Sequence, residues 1–379
     1  MPTELDIVAS PVAKKYMRLQ SAKNVGPVCA RKLIEHFGSI DAVFAASVGE
    51  LERVPDIGRG RAKGVWDARG SDNVDEELAA AARSGVRIIC REDPDYPKLL
   101  AHICDPPVCL YVRGQLQPED GVAVAIVGSR RCSHYGLEQA QRFGVLLAQA
   151  GFTVVSGMAR GADSAAHRGA LEANGRTVAV MGNGLGHIYP PEHADLADEI
   201  AANGAVISEL PMDTAPDAKN FPPRNRIIIG LALGVIVVEA GKPSGALITA
   251  RLATEYNREV FAVPGRVDNP RARGTNALIR DGGAKLITCL EDVLDELGDV
   301  GRIMKPNADE TDGPTPAPVL DEAEQAIFDI ITVDDTSLEH ICNESKLSPA
   351  VVATTLTKLQ MKGVIRQRPG NVFVRSRSA

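Results

Sequence analysis

Aromatic residues are scarce. They make up 4% of the 379 residues, with a single Trp, so a broad aromatic platform for stacking bases is not expected. Cysteine is sparse as well. Cys29, Cys90, Cys104, Cys109, Cys132, Cys289 and Cys342 form no CxxC. Close, paired spacings are what a disulfide scaffold or a structural zinc cluster needs. Their absence excludes both as organising elements and leaves reduced thiols of a cytoplasmic chain as the expectation. No run reaches ~18 apolar residues, so no membrane span is expected. The N-terminus lacks a signal-peptide pattern. No HExxH, GxSxG, GxGxxG or GxxxxGK[ST] occurs. Metal, nucleophile, dinucleotide and Walker-type ATP chemistry each lose their usual signature. No catalytic residue, metal or cofactor is therefore assigned.

Basic charge is in deficit. Lys and Arg number 42 against 49 Asp and Glu, a formal net charge of −7. That excludes a globally basic wrapper of nucleic acid but not a local basic patch. The charge is unevenly placed. Residues 341–379 hold seven Lys or Arg against the single acid Glu344, whereas residues 301–340 hold ten acids and two bases.

Four regions separate by pattern. Residues 1–75 read as short helices with glycine turns, an all-α SAM or helix-hairpin-helix-like domain. Val25-Gly26-Pro27-Val28-Cys29-Ala30 repeats as Ile57-Gly58-Arg59-Gly60-Arg61-Ala62, an offset of 32 residues. Turn amides of this kind meet phosphates in some modules and only pack helices in others. Residues 76–298 read as one α/β domain. An ordered connector, about residues 92–114, Pro-rich and then strand-like, leads into it. Its apolar runs, Val122–Val127, Thr153–Ser156, Thr177–Met181, Ala205–Ser208, Val235–Glu239, Glu259–Val263 and Lys285–Thr288, are β-branched and mostly unbroken by polar alternation. Strands buried on both faces look like this, so the sheet is expected to be mostly parallel and doubly wound, an extended Rossmann-like domain. Residues 299–320 are rich in Pro, Gly and acids and read as a flexible linker. Residues 321–379 read as a winged helix. Ser348-Pro349 starts a helix, and Arg366–Arg375 forms a hairpin turning at Pro369-Gly370-Asn371.

Ligands of an open parallel sheet bind beyond the carboxyl ends of its strands. Four of those ends carry glycines: Gly128-Ser129-Arg130, Ser156-Gly157 through Arg160-Gly161, Gly182–Gly186, and Gly241-Lys242. Glycine lets backbone N–H groups approach an anion, and Arg forks onto phosphate oxygens. The segment Lys219-Asn220-Phe221-Pro222-Pro223-Arg224-Asn225-Arg226 adds a lone aromatic and two cations. Phe221 either stacks a base or serves the core. Arg224 and Arg226, two apart, point differently on a helix: either one meets phosphate while the other braces the fold, or both lie on the helix surface.

These motifs, in order from about Asp95 to Ile287, resemble the DNA-processing protein A (DprA, or Smf) family. They are VAIVGSRRCSHYG, VVSGMARGADSAAHRGAL, TVAVMGNGLGHIYPPEH, ISELP, NFPPRNRIIIGLALG and GTNALIRDGGAKLI. The resemblance implies a cytoplasmic, non-catalytic homodimer that binds single-stranded DNA. It further implies that the protein loads the RecA recombinase during natural transformation. By motif, the DNA contacts fall on Gly128, Ser129, Arg130, Gly157, Arg160, Gly161, Phe221, Arg224, Asn225 and Arg226; their neighbours Ser156, Lys219 and Lys242 complete the expected site. Some members carry Lys three before the Phe, where this chain has Ala218.

Two alternatives remain. One is a phosphoribohydrolase-like nucleotide-processing enzyme. Its essential Glu would stand where this chain has Thr249, although Glu239 is nearby in sequence. The other is a nucleotide-sensing winged-helix regulator of duplex DNA.

Overall fold

The computed structural model describes residues 8–70, 73–242, 244–304, 320–332, 336–362, 364–368 and 372–375. They fall into two compact units, Met1–Lys305 and Pro306–Ala379.

The first unit is built on a nine-stranded sheet. Its strands are β1 (Val86–Cys90), β2 (Cys109–Gly114), β3 (Ala123–Val127), β4 (Thr153–Ser156), β5 (Thr177–Val180), β6 (Ala205–Ser208), β7 (Gly234–Val237), β8 (Glu259–Ala262) and β9 (Lys285–Leu286). Their order is β1-β2-β6-β5-β4-β3-β7-β8-β9. All neighbours from β6 to β9 pair in parallel. Every residue of β3 through β7 is buried, which is why those runs lack polar alternation. The seven expected strands all form, within one or two residues at most ends. The connector does more than expected: β2 joins β6 antiparallel and carries β1 outside it.

From β3 the chain winds outward to β6, then returns to place β7 on the other side of β3. That reversal opens a crevice at the carboxyl ends of β3, β4 and β7. Helices α7 (His134–Gln149) and α8 (Ala162–Glu172) cover one face. Helices α10 (Phe221–Leu231) and α11 (Gly245–Glu255) cover the other.

The N-terminal helices, α1 (Pro11–Ser21), α2 (Pro27–Phe37), α3 (Ile40–Ala45), α4 (Val48–Glu52), α5 (Arg59–Ala68) and α6 (Asn73–Arg83), share one core cluster with β1, β2 and α9 (Ala194–Asn203). Gly26 and Gly58, the two copies of the repeat, sit at the N-caps of α2 and α5. The first residues of the expected linker are helical. A helix, Gly298–Ile303, packs Val300 and Met304 against the sheet's core. Residues 305–319 lie outside the described residues.

The second unit contains helices α12 (Glu322–Ile330), α13 (Leu338–Ser345) and α14 (Pro349–Met361) and a sheet in the order β10 (Thr336–Ser337), β12 (Val372–Arg375), β11 (Ile365–Arg368). Ile327, Ile341, Val352, Leu356 and Phe373 form its core. This is a winged helix. The expected turn residues Pro369, Gly370 and Asn371 lie outside the described residues, as does Arg377. Much of the tail's positive charge is spent inside the unit. Lys362 binds Glu324 at 2.5 Å, Lys358 lies 3.8 Å from Asp321, and Arg375 donates to Phe328 O and Ile331 O. The tail is therefore less available to an external anion than its residue count suggests.

His167, on α8, is fully buried. Its Nδ1 lies 2.7 Å from Thr177 Oγ1, and its Nε2 has no partner. Burial, then the neighbouring His193 and Arg224, hold its pKa down to about 3. An unfolded His takes its proton near pH ~6.5. The unfolded chain therefore gains a proton that the folded chain refuses. Stability is expected to fall below about pH 6.5 by up to about 1.4 kcal/mol per pH unit, until about pH 3. Urea unfolding across that range checks it, and His167→Asn should flatten the slope.

Candidate nucleic-acid interface

A cavity of about 480 Å³ opens in the crevice. The turn after β3 forms one wall, with Gly128, Ser129, Arg130 and Arg131. The start of α10 forms the second, and the start of α11, from Ser244 to Thr249, forms the third. The turns are tied to one another. Ser129 N donates to Glu239 O at 2.7 Å, and Ala162 N donates to Ser129 O at 3.3 Å. Gly161 has φ of +82°, and a Cβ there would strike Ser129 O; only glycine takes this turn without strain.

Helical spacing sets the second wall. Phe221, Arg224, Asn225 and Ile228 line one face of α10. Phe221 is half-buried. Arg130 lies over its ring at 5.0 Å, and Tyr189 packs against it at 5.8 Å. Arg130 and Arg131 are exposed and form no ion pair among the described residues. They are free cations on the lip of a glycine-lined pocket.

Arg224 is at the floor, 6% exposed. Its guanidinium donates to Gly157 O at 2.8 Å and to Val180 O. Burial lowers its pKa to about 10, with Asp163 opposing the shift. Burial also pushes the Asp163 carboxyl up, against the pull of Arg224. The pair is coupled across the pocket floor. Gly157 is required here because a Cβ would occupy the place of the Arg224 guanidinium.

The remaining expected residues separate by position. Arg160 stands on the rim, bound to Glu192 at 2.5 Å and lying 6.0 Å over Tyr189. Lys219 is exposed and bound to Asp217 at 2.8 Å. Lys242 is exposed at the end of β7, off the pocket wall. Two of the expected residues lie inside the fold. Ser156 is fully buried and its hydroxyl donates to Ile126 O, tying β4 to β3. Arg226 is 7% exposed and turned away, donating to both oxygens of Glu209. Its side chain ties α10 to the segment after β6. Arg131 and Asp163 were missing from the expected set. Arg131 stood in plain view beside Arg130, and only the fold puts Asp163 beneath the pocket.

The profile of the family described as DNA recombination-mediator protein A matches residues 87–298. Protein Smf of Synechocystis sp. is 34% identical over 95% of this chain and 98% of its own. The chain belongs to the DNA recombination-mediator protein A family. A DprA winged-helix domain matches residues 311–371, and a SAM-like helix-hairpin-helix tandem matches residues 16–69. The DNA processing protein DprA of Bacillus subtilis is 42% identical over 58% of this chain and 74% of its own. The X-ray structure of DNA processing protein A from Streptococcus pneumoniae superposes with a TM-score of 0.66, at 33% identity, covering 75% of this chain and 97% of that one. DNA processing protein A of Helicobacter pylori, studied for its single-stranded DNA binding mode, gives a TM-score of 0.51 at 32% identity, covering 56% of this chain and 95% of that one. Among the described residues no helix is long and apolar enough to cross a membrane.

Proposed function

We propose that this chain binds single-stranded DNA in the crevice pocket, protects incoming strands in natural transformation, and loads RecA onto them as a cytoplasmic homodimer. The observation that carries the binding reading is the pairing of free cations with one aromatic: Arg130 and Arg131 stand at the lip, and Arg130 covers Phe221. Phosphates fit the cations and the glycine turn amides, and a base fits against the ring. Membership of the family, and the single-strand binding of the Helicobacter pylori relative, support the same reading. The RecA, homodimer, transformation and compartment parts rest on the family resemblance.

A nucleotide-processing enzyme would need a free carboxylate at the site. Thr249 lines the pocket instead. Glu239 is 1% exposed and accepts from Ser133 N, Ser133 Oγ and Asn269 Nδ2. Asp163, the one carboxylate on the wall among the described residues, accepts from Ala159 N and faces Arg224. The carboxylates are engaged in holding the site.

Gel-shift titration against oligo-dT and its duplex, at two salt levels, is the test. Oligo-dT should bind more tightly than duplex, and affinity should fall with salt as phosphate contacts release counterions. Arg130→Ala should weaken binding roughly 5- to 150-fold while the unfolding transition shifts little, because losing one stacking and phosphate contact costs about 1–3 kcal/mol. Equal affinity for duplex, or no salt dependence, overturns the reading. RecA filament growth on bound strands and the mass in solution test the loading and homodimer parts.

A further inference from the structure

The pocket ends at α11, but the unpaired cations do not. Beyond β7 the chain runs Gly241-Lys242, and beyond β8 a short turn, Pro270–Ala272, leads into the helix Arg273–Arg280. The two segments touch. Gly274 N donates to Ala240 O at 2.7 Å, and a Cβ on Gly241 would lie 3.5 Å from Pro270 O. Lys242, Arg271 and Arg273 therefore share the carboxyl edge of the sheet, all three exposed. None forms an ion pair among the described residues.

The turn that presents them is held firmly. Asn276 grips Gly265 through both N (3.1 Å) and O (2.9 Å). Asn269 Nδ2 reaches Glu239 at 3.3 Å, and Tyr135 OH donates to Pro264 O at 2.9 Å. Nearby acids are occupied. Asp268 is bound by Arg266, Asp281 by Arg280, and Glu239 is buried. Asp281 also attracts Lys242 through space. Adjacent strands lie about 4.8 Å apart, so the end of β8 is two steps, about 10 Å, from the end of β3.

We propose that a single strand held in the pocket continues across the ends of β7 and β8, with its phosphates on Lys242, Arg271 and Arg273. This rests on the single-strand reading of the pocket and gives the strand its direction out of it. Free cations on a clamped turn suit a regularly charged backbone, since little side-chain support must be ordered on binding. They also supply positive charge that Ala218 does not.

The test compares the full chain with the double variant Arg271→Ala/Arg273→Ala on oligo-dT of about 6 and about 20 nucleotides. For the longer oligomer, affinity should drop about tenfold. Its log–log salt slope should become shallower by about 1.4, at about 0.7 per lost phosphate contact on single strands. The shorter oligomer should lose less than twofold. Arg271→Lys/Arg273→Lys should keep the slope, which separates lost charge from a disturbed turn. A double alanine variant that matches the unaltered chain on the long oligomer in both affinity and slope overturns the track and leaves the pocket standing. Failure of the unaltered chain to bind either oligomer overturns the pocket, and the track with it.

Discussion

Replacing Arg224 with Met will lower stability by about 3–5 kcal/mol and abolish binding at the pocket together. The guanidinium lies beneath the cavity and donates to carbonyls at the ends of two strands, Gly157 O after β4 and Val180 O on β5. It is also, ahead of Arg130, the cation that draws the buried Asp163 carboxyl back toward its charged form. Met fills similar space but donates nothing. Two buried carbonyls lose a partner, and the buried Asp163 loses the larger of its two guanidinium counter-charges. In a unit of this size each kcal/mol moves the midpoint by about 2–4 °C, so Tm should fall by roughly 6–20 °C. Arg224→Lys should recover only part, since an ammonium cannot fork onto two carbonyls in the same way. Arg130→Ala provides the contrast, because Arg130 is exposed, donates to no buried group and acts on Asp163 less than Arg224 does: affinity falls far more than Tm. A normal Tm for Arg224→Met would mean that Arg224 reaches out to the ligand and the floor is held by something else.

That contrast marks the limit of what the sequence could reveal. The parallel strands were legible because a strand buried on both faces must be apolar throughout, as in Ala123–Val127 and Gly234–Val237. The crevice followed, because glycines after several strand ends have to lie on one edge. Strands β1 and β2 were harder. Val86–Cys90 is a short stretch interrupted by Arg87, and the strand-like end of the connector, Cys109–Gly114, gives no sign that its partner, β6, lies far along the chain. The arginines of the NFPPRNR segment were the least legible. Periodicity placed Arg224 and Arg226 on different faces of α10, but not which face met the cavity. That was decided by carboxylates distant in sequence: Asp163 under the floor, and Glu209 with Asp105 behind the helix. Side-chain roles at this site are set by tertiary partners, whereas its outline is set by local chain chemistry.

Arg226 should behave as a brace, and its own substitution will show the difference from Arg224. Its Nη2 lies 2.5 and 2.6 Å from the two Glu209 oxygens, and its Nε lies 3.2 Å from Asp105. Asp105 also accepts from Tyr256 OH at 2.6 Å. The cluster thus joins the connector, the segment after β6 and the pocket helix. Burial pushes the Glu209 carboxyl up, and Arg226 is the charge that opposes it. Arg226→Met strands Glu209 as a half-buried, unpaired carboxylate, at a cost of up to about 3 kcal/mol, the low end of the fully buried case. Removing both charges relieves that penalty, because a buried pair replaced by apolar groups is often neutral. Arg226→Met/Glu209→Met should therefore recover most of the lost Tm, with Asp105 still held by Tyr256. Single-strand affinity should recover with it, since Phe221 and Asn225 on α10 return to the pocket wall. If the double variant regains stability but not affinity, Arg226 itself contacts the strand. If it regains neither, the helix depends on Arg226 through something other than its charge.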